Sequence, residues 1–175
     1  MVMVDHKHGR CWAYRVPNKG ALEESHWLPE RMVQDLDNNG MRHEQIQMKV
    51  DQEPAIVAVQ KAIMELRPNV ILSNSPVGES ECNGRVENTI RRIQEKFRAL
   101  RHQVEQGIGE KIPDDSPVMS WLVRWAAEVI SKYAPGDDGR TPFERIRREV
   151  CAVPLVPFGE TVLYLPLQLA AGNKG

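Results

Sequence analysis

The sequence predicts a mixed α/β fold. Short stretches in which apolar residues alternate or cluster, at 1–4, 11–16, 46–50 and 70–72, read as strands. Longer stretches in which apolar residues recur at three- and four-residue steps read as amphipathic helices. The two kinds follow one another in the order strand, strand, helix, strand, helix, strand, helix, which suits a sheet with helices laid against it.

Met1–Val4 and Cys11–Val16 form the first pair of strands, joined by the polar turn around His8-Gly9-Arg10, so the chain opens on a hairpin. Pro17-Asn18-Lys19-Gly20 closes it. From Ala21 to about Asn38, Leu22, Trp27, Met32, Val33 and Leu36 stand among charges, and the expectation is a helix interrupted or restarted at Pro29 and stopped at Gly40. Ile46-Gln47-Met48-Lys49-Val50 alternates as a strand does and delivers Asp51 at its C-terminal end. Pro54 opens a second helix, to about Arg67, with Ile56, Val59, Ile63 and Leu66 on one face.

Val70-Ile71-Leu72 is a short buried strand, and Ser73 to Gly84 is rich in Pro, Gly, Asn and Ser, as a loop is. Val86, Ile90, Ile93, Phe97, Leu100 and Val104 then mark a long amphipathic helix. Another runs from about Pro117 to Tyr133, and a last one is opened by Thr141-Pro142-Phe143-Glu144, a capping box with proline at the first helical position. Beyond Cys151, prolines and apolar residues suggest one or two strands or an extended tail. The domain division is therefore 1–150 for the core and 151–175 for the tail.

Composition limits the function classes. The chain has 175 residues, 41% hydrophobic and 27% charged, which suits one ordinary soluble domain. Its formal net charge of −1 means that any affinity for nucleic acid must come from a local patch. Cys11, Cys82 and Cys151 stand far apart without C-x-x-C pairing, against a disulfide framework or zinc ribbon, and a reducing compartment fits best. Met1–Val4 is too short for a signal peptide and no apolar run reaches the ~18 residues of a membrane span. A soluble protein, nuclear or cytoplasmic and without a membrane partner, is expected. Walker, G-x-S-x-G and dinucleotide glycine motifs are absent from the sequence.

Asp51 and Glu87, with 35 residues between them, are the leading candidates for a functional pair. Spacing alone carries little, since 24 acidic residues yield about two or three acidic pairs at any fixed separation. Their surroundings carry more. Lys49-Val50-Asp51-Gln52-Glu53-Pro54, taken with Ser75-Pro76 and Asn83-Gly84-Arg85-Val86-Glu87-Asn88, resembles the catalytic core of retroviral and long-terminal-repeat retrotransposon integrases, a ribonuclease H-like fold with a mixed sheet flanked by helices. The hairpin ending in Pro17-Asn18-Lys19-Gly20 and the stretch Gly139-Arg140-Thr141-Pro142-Phe143-Glu144 also resemble that family, so the likeness extends over about residues 1 to 150, with additional C-terminal helices.

The resemblance implies metal-dependent DNA strand transfer, with Asp51 and Glu87 as the second and third acids of an Asp, Asp, 35-residue gap, Glu triad. Mg²⁺ or Mn²⁺ held by their oxygens would activate a water or a DNA 3′-hydroxyl. DNA and a second copy of the chain are the partners it implies. The first acid has no clear counterpart, because the chain opens within what looks like the family's second strand; Asp5 follows that strand, and the expectation is a truncated copy, which puts its catalysis in doubt. The alternative function is a non-catalytic nucleic-acid-binding or dimerising remnant of the same fold. Without the flanking motifs, Asp51 is a strand-end turn residue and Glu87 a carboxylate favoured at a helix N-terminus.

Arg91, Gln94, Arg98 and Arg101 follow Glu87 at helical steps and lie within about 40° of it around the axis. With six Lys or Arg between Arg85 and Arg101 against Glu87 and Glu95, this stripe is the candidate nucleic-acid contact, or else a solvated helix face. Arg140, Arg145, Arg147 and Arg148 form a second basic cluster, read as surface charge. Glu79 and Glu81 oppose tight DNA binding. His6 and His8 alternate without a third ligand at suitable spacing. Trp12, Trp27, Trp121 and Trp125 are expected in the core, and the helix ending at Tyr133 either caps that core or forms an interface.

Overall fold

A computed structural model describes residues 1–16, 26–50, 53–74 and 80–162, without the side chains of 74 and 80–83. Strand β1 (Val2–Val4) pairs antiparallel with β2 (Cys11–Ala13), Met3 facing Trp12 across the ladder. The turn between them is closed by the backbone N–H of Asp5 donating to Arg10 at 2.7 Å and that of Gly9 donating to Asp5 at 2.8 Å. Gly9 has φ +81°, the left-handed region where a side chain is strained.

β2 is buried on both faces. Cys11 and Ala13 enter one apolar cluster with Ile93, Leu100, Leu122 and Ala126, while Trp12 and Tyr14 enter another with Leu28, Met32, Val59 and Ile63. Alternation along a strand sends neighbouring side chains to opposite faces, so this three-residue strand joins the two halves of the core.

The second half is built by α1 (Trp27–Leu36), α2 (Pro54–Leu66), β3 (Ile46–Val50) and β4 (Val70–Asn74). Pro29 does not interrupt α1. It occupies the first turn, where its missing N–H has no intrahelical acceptor in any case. The helix then widens into a π turn, Asp37–Met41, and ends where Gly40 takes φ +83°, the stop expected there. Residues 17–25 lie outside the described residues, so the expected helix start at Ala21 does too.

β3 and β4 run parallel, Ile46 opposite Val70 and Val50 opposite Asn74. α2 packs on this pair through Val59 and Ile63, and Gln60 Nε2 donates to the Met48 carbonyl at 2.9 Å. The mixed sheet expected from the sequence is therefore two separate two-stranded sheets among the described residues. Side chains rather than a ladder hold the pairs together: Met1 and Met3 from the hairpin and Ile46 and Met48 from β3 pack against the same cluster.

α3 (Ser80–Ile108) and α4 (Val118–Tyr133) cover the other face of the hairpin. α3 is 29 residues long and starts before the expected loop has ended, absorbing Gly84. α4 buries Met119, Leu122, Ala126, Val129 and Ile130 and caps the core, as one of the two expectations had it. The expectation for the tryptophans fails in part, because Trp121 is 71% exposed and Trp27 40%, whereas Trp12 is buried. Trp121 lies outside the arc of α4 that meets α3 and β2.

α5 (Pro142–Arg147) carries the expected capping box: Thr141 Oγ1 accepts from the Glu144 N–H at 3.1 Å, and Glu144 Oε2 accepts from the Thr141 N–H at 2.5 Å. Residues 151–162 form no strand, and Tyr133 donates its hydroxyl to the Val153 carbonyl at 3.0 Å. No helix among the described residues is long and apolar enough to cross a membrane.

Candidate functional site

α3 presents the candidate stripe. Ile93 and Leu100 are buried and Phe97 and Val104 pack beside them, which leaves the opposite face to solvent. Glu87, Arg91, Gln94 and Arg98 are all exposed on it. Arg91 Nη2 donates to Asn88 Oδ1 at 2.9 Å, an exposed contact along one turn. Glu87 stands seven residues beyond Ser80, past the first turn where the helix dipole favours a carboxylate, so a capping role does not account for it.

Arg101, the last member of the stripe, is committed within the fold. Its Nε donates to Glu105 Oε1 at 2.8 Å, its Nη1 to Asp114 at 2.8 Å and its Nη2 to the Ile112 carbonyl at 2.7 Å. Glu105 also accepts from Lys111 Nζ at 2.8 Å and from the Ile112 N–H at 3.1 Å. Hydrogen bonds from Lys111, then Arg101, hold the Glu105 carboxyl down to about 2. This clasp folds the chain after α3 back onto the helix.

The base of α3 is tied to the hairpin turn, because Arg85 Nη1 donates to the His6 carbonyl. Asp5 is occupied in that turn: Oδ1 accepts from the Lys7 N–H at 2.9 Å and Oδ2 lies 2.7 Å from His8 Nδ1. His6 and His8 thus serve different partners. Among the described residues no three His, Cys, Asp or Glu side chains converge on a point that could hold a metal ion.

Asp51 lies outside the described residues, as do Ser75 and Pro76, and the Asn83 side chain is not described. What is described is where their flanking elements end. β3 and β4 finish side by side at Val50 and Asn74. Asp51 follows Val50 directly, and α3, which carries Glu87, begins six residues after Asn74. Chain connectivity thus starts both acidic segments from the carboxyl end of one parallel pair, the end at which open α/β sheets place their ligands. Two carboxylates suit a hard divalent cation such as Mg²⁺ in donor type, with waters or phosphate oxygens completing the shell.

The second basic cluster divides. Arg145 binds Asp138 through Nε at 3.1 Å and donates from Nη1 to the His8 carbonyl at 2.9 Å, pinning α5 to the hairpin turn. The ion pair with Arg145 holds the Asp138 carboxyl down to about 2. Arg147 is exposed and lines a polar cavity between β2, α1, α4 and α5. The sequence did not point to that cavity; Arg10, just before β2, and Trp12 within it were the available signal. A second hollow, about 520 Å³, is lined by Trp27, Trp121, Trp125 and Phe158 with Arg15 and Arg124.

Neither a family model nor a curated protein matches the sequence. The fold has a counterpart among solved structures: the catalytic core domain of BIV integrase in one crystal form is similar with a TM-score of 0.54 at 17% identity, over 84% of this chain and 84% of that one. The likeness extends to an integrase-core-like fold.

Proposed function

We propose that the chain is an integrase-like DNA-binding domain of retrotransposon type, in which Asp51 and Glu87 hold Mg²⁺ or Mn²⁺ and Arg91, Gln94 and Arg98 position phosphate. The observation that carries the reading is the exposed file of Glu87, Arg91, Gln94 and Arg98 on α3 within a fold similar to an integrase core. A carboxylate followed by cations along one helix face matches the needs of phosphoryl transfer, a metal ligand beside groups that grip the flanking phosphates. Bound metal would polarise a phosphate oxygen and activate the attacking hydroxyl or water. Arg101, held by Glu105 and Asp114, supports the helix rather than the substrate.

A second reading, a DNA-binding remnant without catalysis, is favoured by one observation. Asp5 is spent on Lys7 and His8, so it offers no third carboxylate. Strand-transfer assays with Mn²⁺ separate the two. Product formed by the wild type and lost in Asp51→Asn and in Glu87→Gln supports the enzyme. DNA retention unaffected by chelator, with no product, supports the remnant. No DNA retention at all would sink both.

Self-association is part of the proposal. Trp121 and Trp27 expose aromatic surface around one hollow, and such surface on a small domain marks an interaction site.

A further inference from the structure

The cavity between β2, α1, α4 and α5 is about 410 Å³ and, among the described residues, is lined by five cations, Arg10, Arg31, Arg124, Lys132 and Arg147. Two described carboxylates, Asp35 and Glu128, line it as well, and each is already shared. Glu128 takes Arg10 at 2.6 Å and Lys132 at 2.8 Å. Asp35 takes Arg31 at 3.1 Å, Arg124 at 3.6 Å and the Tyr14 hydroxyl at 2.9 Å. Positive charge along the lining therefore exceeds negative by about three.

Arg10 stands at the floor. The Arg10 side chain is 9% exposed and its guanidinium lies 5.6 Å from the Trp12 ring centroid. We infer that this cavity is a site for a polyphosphate anion: guanidinium forks match phosphate oxygens, and the charge excess calls for more than one negative charge. Two adjacent groups, as in a diphosphate or in consecutive phosphates of a nucleic-acid backbone, meet that need better than a single carboxylate.

Inorganic pyrophosphate is the probe, titrated calorimetrically into the full chain at moderate salt. Binding in the millimolar range or tighter is expected, with acetate at the same ionic strength giving none. Lys132→Met and Arg147→Met each remove one cation from the rim and should weaken binding about tenfold, the loss of one charge-assisted hydrogen bond. Lys61→Met, an exposed cation on α2 that does not line the cavity, should bind pyrophosphate as the wild type does. Absence of pyrophosphate binding, equal binding of acetate, or binding weakened by neither Lys132→Met nor Arg147→Met overturns the inference. A short DNA duplex then separates the sources. Displacement of pyrophosphate by duplex, with duplex retention weakened in Arg147→Met, assigns the phosphates to a nucleic-acid backbone; retention of pyrophosphate beside bound duplex assigns them to a free compound. Circular dichroism of each variant confirms folding, so a loss of binding reports on the site.

Discussion

Arg101 Nε lies 2.8 Å from Glu105 Oε1, one helical turn further along α3, and this ion pair draws the arginine away from the exposed stripe that begins at Glu87. Two cations three positions apart on one helix, Arg98 and Arg101, therefore have different tasks. Arg98 is exposed; Arg101 joins α3 to the turn that carries Ile112 and Asp114. Arg98→Ala should weaken DNA retention and lower the salt slope by about 0.9, because one phosphate is no longer neutralised, with the melting temperature little changed. Arg101→Ala should do the reverse, lowering the melting temperature while the salt slope stays. Filter retention across a salt series, with thermal melts on the same samples, checks both.

The same clasp gives a pH dependence. Lys111 and Arg101 hold Glu105 at about 2, below the usual carboxylate value. For a carboxyl depressed on folding, stability is fully present above the unfolded value near 4.5 and is lost as pH falls toward about 2. Glu105→Gln should therefore unfold at lower urea than the wild type at neutral pH, and the gap should narrow between those two values. A gap that stays constant from neutral pH to the acid end would mean that the carboxylate charge is not what stabilises the clasp.

Local signals were legible in the sequence and non-local ones were not. The Thr141–Glu144 capping box needs four consecutive residues, and it forms as expected. Gly40 likewise stops its segment through its own backbone freedom. The start of α3 was obscured because Gly84 and its polar neighbours read as loop, yet a helix of 29 residues absorbs one glycine at a cost of about 1 kcal/mol. Periodicity placed Arg101 on the stripe with Glu87, but its partners Ile112 and Asp114 come from the turn beyond the helix, which periodicity does not see. The polar cavity is assembled from four elements far apart in the chain, so no window of sequence contains it.

Thr141 fixes the start of α5, a helix of only six residues that holds Arg145 against the hairpin turn. So short a helix has little stability of its own and depends on its cap and its packing. Thr141→Ala should cost about 1 kcal/mol, and Thr141→Ser, which keeps the hydroxyl acceptor, much less. Urea denaturation of the two variants decides; equal losses would mean that the methyl group rather than the hydrogen bond matters.

Leu122 and Trp121 are neighbours on α4 with opposite surroundings, the first fully buried and the second 71% exposed. Leu122 sits between α3 and β2 in the cluster with Ile93, Leu100 and Ala126, where removal of its side chain leaves a cavity that rigid neighbours on three elements cannot fill. Leu122→Ala should cost about 2–5 kcal/mol. Trp121→Ala removes a larger side chain yet should change monomer stability by no more than about 0.5 kcal/mol, because little of the indole leaves water on folding. Its effect should instead fall on self-association. If the exposed Trp121 and Trp27 surface is where two copies meet, sedimentation velocity should show a dimer in the wild type and a monomer in Trp121→Ala at the same concentration. A wild type that remains monomeric would remove self-association from the proposal. A Trp121→Ala protein that unfolds as readily as Leu122→Ala would mean that the indole is buried in the folded monomer after all.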